Sequence, residues 1–190
     1  PDCPVPISVD TQKAVVAEKA LNLGVNIIND IWGLQKDPDM AKVVGRSEAA
    51  VVLMHNKNNQ EYQNMIGEMM EFLEQSIELA LKNGIGENRI ILDPGIGFGK
   101  NPEQNMEVIS RLSEFKTLGY PLLLGVSRKS VIGKALNLPV EHRLEPTIAL
   151  GTLGVAAGVD ILRVHDVLEH KKAIAMVDQI IRRTKGELYE

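Results

Sequence analysis

The chain has 190 residues, 44% of them hydrophobic and 24% charged, with a formal net charge of −4. That is enough chain and apolar content for one domain with its own core, and it excludes a disordered polymer. With 21 Lys and Arg against 25 Asp and Glu, broad binding to nucleic acid or to an anionic membrane surface is excluded, so any anionic ligand needs a local cluster of cations. The single cysteine, Cys3, can form no internal disulfide, and no apolar run approaches the roughly 20 residues of a membrane span. A soluble cytoplasmic protein is expected. The chain begins at Pro1 with a strand following at once, so upstream sequence is expected to have been lost.

In chain order, the first apolar run is Val5 to Val9, ending at Asp10. Thr11 to Leu23 follows, with Val15, Val16, Ala17, Ala20 and Leu23 at helical spacing before Gly24, a residue suited to a left-handed C-cap. Val25 to Ile28 hands over to Asn29 and Asp30, and Asp37 is expected to cap a short helix that has Pro38 at its first position and runs to about Val44. Ala49 to Met54 ends at His55. The longest helix, Glu61 to Lys82, carries the stripe Ile66, Met69, Leu73, Ile77 and Leu81, with its methionines filling core. Arg89 to Leu92 ends at Asp93, and a helix from Pro102 runs to Leu118 before Gly119. Pro121 to Val126 ends at Ser127, and Glu141 to Ala157 is helical. The last run, Ile161 to Val164, contains Arg163 and leads through His165 and Asp166 to a helix over Val167 to Arg183. The polar tail from Lys185 to Glu190 is expected to fray.

Short, nearly continuous apolar runs separated by helices describe a parallel sheet buried on both faces. Six consecutive strand-helix units with short links suit either a (β/α) barrel or an open doubly wound sheet. Polar residues at every strand end favour the barrel, in which each βα loop faces one shared pocket. A closed barrel has eight units, and an absent N-terminal portion would supply the other two. The chain thus reads as a single α/β domain over residues 1–190, a TIM barrel with about six of its eight βα units.

The segment Asp93-Pro94-Gly95-Ile96-Gly97-Phe98-Gly99-Lys100 is glycine-rich but matches neither a P-loop nor a dinucleotide fingerprint, because Pro94, Lys100 and Asn101 stand at required positions. It is a turn that places Asp93 and Phe98 at a strand end. Asp10, Asn29 and Asp93 each suit a turn or a helix cap, but on three strands of one barrel they converge. Two carboxylates and an amide suit a ligand edge carrying several N–H donors better than a transition metal. Ser127-Arg128-Lys129-Ser130 opens a helix, which collects hydroxyls, two cations and free helix N–H groups into an expected anion site. Arg163 and His165 alternate with Val164 and so share one face of the last strand; Asp166 is expected to cap the next helix. His55, His142 and His170 lack ligand spacing and are expected at the surface or in loops.

Taken in order, Ile7-Ser8-Val9-Asp10-Thr11, Ile27-Ile28-Asn29-Asp30, Leu53-Met54-His55, Asp93 to Lys100, Gly125 to Ser130 and Arg163-Val164-His165-Asp166 closely resemble the dihydropteroate synthase family, the folate-pathway enzymes inhibited by sulfonamides. The resemblance implies an eight-stranded barrel that condenses 6-hydroxymethyl-7,8-dihydropterin diphosphate with 4-aminobenzoate. The products are 7,8-dihydropteroate and pyrophosphate, and Mg²⁺ assists. It implies that Asp10, Asn29, Met54, Asp93, Gly125 and Lys129 form the pterin pocket, that Arg163 and His165 clamp the diphosphate, and that Phe98 and Ser130 stand at the aminobenzoate end. Arg163, His165 and Lys129 are then the catalytic set. A homodimer is implied, with no nucleic-acid or membrane partner.

Two departures from the family pattern stand out. Asn56 to Asn59 replace a Met and a Gly-containing turn, so no role is carried onto them. The family's first two strands, with an Asn near the metal and a mobile Thr-Arg-Pro segment, have no counterpart; no metal ligand is therefore expected in this chain, which corresponds to about three quarters of a barrel. Alone, such a piece is expected to be inactive and, with two unpaired edges, prone to aggregate. Two alternatives remain: a pterin-binding methyltransferase domain, which shares the Asp, Asn, Asp set but not the cations, and a truncated barrel that acts as a binding module.

Overall fold

In the computed structural model, which describes residues 3–184 and the side chains as far as residue 181, six short strands lie side by side in chain order, all parallel. They are β1 (Ser8–Asp10), β2 (Ile27–Asp30), β3 (Ala50–Met54), β4 (Ile90–Asp93), β5 (Leu123–Leu124) and β6 (Ile161–Leu162). The first four form one sheet, the last two pair with each other, and a parallel bridge between Leu92 and Leu122 joins the groups. The ladder thins there because the Leu122 amide donates to the Asp160 carboxylate at 2.7 Å. Among the described residues no strand covers the outer edge of β1 or of β6, so the barrel is open. The tail expected to fray lies outside the described residues.

The helices are α1 (Ala14–Asn22), α2 (Met40–Gly45), α3 (Met65–Lys82), α4 (Pro102–Ser110), α5 (Leu112–Phe115), α6 (Ser130–Leu136), α7 (Leu144–Ala156) and α8 (Val167–Thr184). Several differ from the sequence expectation for identifiable reasons. Asp37 serves two helices: one carboxylate oxygen accepts from the Asp39 amide at 3.1 Å just ahead of α2, as expected, and the other accepts from the Ala14 amide at 2.8 Å at the start of α1; α2 itself starts at Met40, with Pro38 outside it. The buried face of α1 is Ala14, Ala17 and Ala20, whereas Val15, Val16 and Leu23 are exposed. Three alanines spaced by three let α2 pack close against this helix, which larger side chains would prevent. Helix α3 starts after Asn64, whose side chain accepts from Gly67, and Glu68 accepts the Gln63 and Asn64 amides, so residues 61–64 stay outside.

The helix expected to run unbroken to Leu118 breaks at Arg111, which pairs with Glu107 and Glu114. The break lets Leu112 and Phe115 both bury completely. A 3₁₀ turn over Lys116–Leu118 follows, and Gly119 ends it at φ +83°. Likewise the helix expected from Glu141 starts at Leu144, after a 3₁₀ turn over Val140–His142.

Period two decides what the strands offer to each side. Register pairs Asp10 with Asn29, Asn29 with Val52, and Met54 with Asp93, so these residues share the inner face. Their neighbours Ile28, Val51, Leu53, Ile90 and Leu92 face outward and join the helix side chains Met69, Leu73, Val108 and Phe115 in one core. The methionines Met65 and Met69 are indeed core.

Helix α4 has a complete capping box, in which the Asn101 side chain accepts from the Gln104 amide and the Gln104 side chain accepts from the Asn101 amide, both at 2.8 Å. Asn101→Ala is expected to lower stability by about 1 kcal/mol, seen as a lower midpoint with an unchanged slope in urea unfolding.

Candidate functional site

Every strand end contributes to the inner face at the carboxyl side of the sheet: Asp10, Asn29, Met54, Asp93, and then Gly125 and Arg163 just beyond β5 and β6. These are the positions singled out in the sequence, and the fold brings them together. Asn29 Nδ2 donates to Asp10 Oδ1 at 2.9 Å, and Arg163 donates to Asp10 Oδ2 at 2.5 Å from the opposite edge of the sheet. The Asn29 side-chain oxygen, Oδ1, is buried and, among the described residues, has no hydrogen-bond partner. A Cβ placed on Gly125 would lie 3.9 Å from both Arg163 Cβ and Lys129 Nζ, so that glycine opens the space between the cations.

Asp93 is 5% exposed, and its Oδ1 accepts from the Gly95 amide at 2.7 Å. Burial raises the pKa of its carboxyl, while Lys129, the Gly95 amide, Lys100 and Arg163 oppose that rise. Burial in turn lowers the pKa of Lys129, which Asp93 opposes. Lys129 Nζ donates to the Ile96 carbonyl and lies 4.8 Å from the centre of the Phe98 ring. The loop after β4 can approach this closely because Gly95 has φ +69° and because it carries no Cβ, which would collide with the His55 carbonyl oxygen.

The expected anion site at Ser127 to Ser130 is divided. Arg128, at φ +54°, makes a two-pronged ion pair with Asp166 at 2.9 and 2.6 Å, and its amide and carbonyl are held by Thr147 and Arg143. Its charge is therefore used to position the loop, and the Asp166 side chain serves Arg128 rather than capping α8. Ser127 Oγ stands 2.8 Å from His165 Nδ1 and accepts from the His165 amide at 3.2 Å. Ser130 is exposed in the first turn of α6. The exposed basic side chains left at the rim are Arg163 and His165.

Two histidines correct the sequence expectation. His55 is 2% exposed and His170 3%, while His142 is exposed as expected. His170 is held by the Asp166 carbonyl at 2.7 Å, one turn before it. His55 lies edge-on to Phe72, 5.0 Å between ring centres, and its Nδ1 is 3.0 Å from Lys100 Nζ. Sequence reasoning gave Lys100 no role; a lysine directly after a glycine loop carries no signal of burial. Among the described residues no group of three or more His, Cys, Asp or Glu is placed to hold a metal ion.

Burial, with the nearby Lys100 and Lys57 charges, pushes the pKa of His55 down to about 3 from 6.5. The folded state keeps His55 neutral while the unfolded chain takes up a proton, so this residue costs stability as the pH falls from about 6.5 towards 3. Over that window the urea midpoint of the wild type should fall more steeply than that of His55→Gln; parallel curves would refute the assignment.

The profile of a family described as pterin binding enzyme matches residues 2–165. Dihydropteroate synthase of Clostridium beijerinckii is 51% identical over 183 residues, covering 96% of this chain and 68% of the relative; that of Bacillus subtilis is 46% identical, covering 94% and 63%. The chain thus spans about two thirds of the length of these relatives, less than the three quarters expected from six of eight strands. A crystal structure of the Clostridium difficile dihydropteroate synthase, determined in the presence of pteroic acid, superposes with a TM-score of 0.92 at 53% identity, over 94% of this chain and 68% of that one. The Thermus thermophilus synthase in complex with 6HMPPP gives a TM-score of 0.88 at 39% identity, over 93% and 70%. Strand order and these similarities agree: the chain belongs to the pterin-binding enzyme family, among the dihydropteroate synthases, and its six βα units are those of a TIM barrel.

Proposed function

We propose that these residues form the pterin and diphosphate part of a dihydropteroate synthase active site, with Asp10, Asn29, Met54, Asp93, Gly125 and Lys129 around the pterin. The observation that carries this is the placement of Asp10, Asn29 and Asp93 on one inner face at three strand ends, with the Asn29 amide already donating to the Asp10 carboxylate. Nδ2 donates to Asp10, which fixes the amide's orientation and leaves its buried Oδ1 as an acceptor without a donor among the described residues. A pterin edge offers the amino group and the adjacent ring N–H, and a carboxylate such as Asp93 accepts both in a fork. The similar synthases solved in the presence of pteroic acid and 6HMPPP support the same reading.

In the proposed reaction the C–O bond to the diphosphate breaks, the aniline nitrogen forms the new C–N bond, and its proton leaves. The bond-breaking step places negative charge on the departing pyrophosphate. Arg163 and His165 stand at the rim to stabilise that charge. His165 Nδ1 is engaged by Ser127, which directs Nε2 towards the ligand. Arg163 must exchange the Asp10 carboxylate for a diphosphate oxygen, and both are then served, because Asp10 turns to the pterin. Phe98 beside Lys129, and Ser130 in the first turn of α6, are proposed for the aminobenzoate end. A Yersinia pestis synthase at 34% identity, solved in complex with a sulfonamide drug, supports sulfonamide sensitivity there. Mg²⁺ with the diphosphate, homodimeric assembly and cytoplasmic residence belong to the proposal on the family resemblance. Among the described residues no helix is long and apolar enough to cross a membrane. The similarity to synthases supports this reading over the methyltransferase alternative.

In a full-length enzyme carrying these residues, Asp93→Asn is expected to weaken pterin binding about 100-fold, since each hydrogen bond to a charged group contributes about 1.5 to 3 kcal/mol; calorimetry reads this directly. Arg163→Ala should slow turnover while largely sparing binding of a pterin without diphosphate. Unchanged turnover would remove Arg163 from the clamp.

A further inference from the structure

The loop between β4 and α4 holds much of the proposed ligand site, yet it has little regular backbone pairing of its own. Gly95, Gly97 and Gly99 sit at φ +69°, +87° and +59°, which turns carbonyl groups towards the loop's interior. One side chain meets them. Lys100 Nζ donates to the Gly95 carbonyl at 3.0 Å and to the Phe98 carbonyl at 2.9 Å, and it lies 3.0 Å from His55 Nδ1. An ammonium has three donors and no acceptor, and this cradle offers three acceptors when the His55 proton is on Nε2. Lys100 is 5% exposed, and no carboxylate pairs with it directly.

The gathered loop is what places the ligand-facing groups. The Gly95 amide holds Asp93 at 2.7 Å, the Ile96 carbonyl holds Lys129, and Phe98 lies against the Lys129 ammonium. Gly99 packs on the backbone of Lys57, where a Cβ would stand 2.6 Å from the Lys57 carbonyl oxygen, so the segment after β3 forms the other wall of the cradle. Resting on the pterin-site reading above, we propose that Lys100 is a positioning residue of the synthase reaction, its ammonium drawing the glycine loop into the shape that presents Asp93, Phe98 and Lys129 to the substrates.

The charged and titratable groups around this ammonium are Asp93 from β4, Lys129 from the loop after β5, and His55 after β3, with Lys57 and Glu68 acting on His55. Burial and Lys129 lower the pKa of Lys100 to about 7, against Asp93. Above that value the neutral amine has two donors for three acceptors, and the cradle loosens. Substrate affinity should therefore weaken as the pH rises through about 7.

The test uses the full-length enzyme and Lys100→Met, which keeps the apolar stem and removes the donors. The wild type is first shown to bind pteroic acid by calorimetry; failure there overturns the pterin reading and this inference with it. With binding established, Lys100→Met should raise KM for 4-aminobenzoate and weaken pteroic acid binding, each on the order of 10- to 100-fold, and the wild-type change in KM near pH 7 should vanish. A variant with a lower Tm but wild-type KM values and pH profile would make Lys100 merely structural and overturn the proposal. Where Lys100→Met does not fold, ¹⁵N-lysine NMR of the wild type decides. A slowly exchanging Lys100 Nζ signal that titrates near neutral pH and shifts with pteroic acid supports the proposal, and one indifferent to pteroic acid overturns it.

Discussion

The constraint on which the rest of this structure depends is a carboxylate buried at the closed end of a parallel sheet. Asp93 can accept both donors of a fork only while ionised, and removing a charge from water costs several kcal/mol unless other groups compensate. The compensation comes from three directions: the Gly95 amide along the chain, Lys129 from the loop after β5, and Lys100 and Arg163 at longer range. Placing an amide of the same loop against Asp93 requires the chain to turn back within two residues. That turn requires the positive φ of Gly95 and the absence of a Cβ against the His55 carbonyl. The glycines are therefore the backbone solution to an electrostatic problem.

The lysines that compensate Asp93 create a second problem, since two ammonium groups are themselves buried and near each other. The structure separates their tasks. Lys129 reaches the ligand side and lies over Phe98, whereas Lys100 turns into the loop and is surrounded by neutral acceptors. A neutral His55 is what makes the second arrangement workable, and its depressed pKa follows from the same burial that forces Lys100 to seek acceptors. His55 is thus a structural member of the site without touching the ligand space from the inner face.

Much of this was legible in the sequence. Apolar runs marked the places of all six strands, although β1, β5 and β6 are shorter than their runs, and the period of two placed Asp10, Asn29, Met54 and Asp93 on one face once the register was known. Several of the differences share one cause, that a partner distant in sequence decides a local outcome, whereas the break at Arg111 and the late start of α3 are set by neighbours a turn away. Asp37 also serves the Ala14 amide 23 residues away, and Arg128 is claimed by Asp166 38 residues on. Burial of His55 and His170 was invisible for the same reason. A histidine at a strand end has no pattern that distinguishes a rim position from one sealed beneath an aromatic ring.

The ion pair between Asp10 and Arg163 joins residues 153 apart in sequence, one from each edge strand of the open sheet. Both partners are substantially exposed, so the bond itself contributes little to stability. Its significance lies in what it reserves. A carboxylate proposed for a pterin donor and a guanidinium proposed for a diphosphate hold each other across the inner face, and the Asn29 amide adds a further hydrogen bond to the same carboxylate. A ligand carrying only a cationic edge or only an anionic group would have to break the pair and leave one charge without its partner. A molecule with a donor edge at one end and a diphosphate at the other satisfies both at once. Because both halves are exposed, breaking the pair costs no more than about 1 kcal/mol, so its role is to hold the two side chains in place until a ligand replaces both.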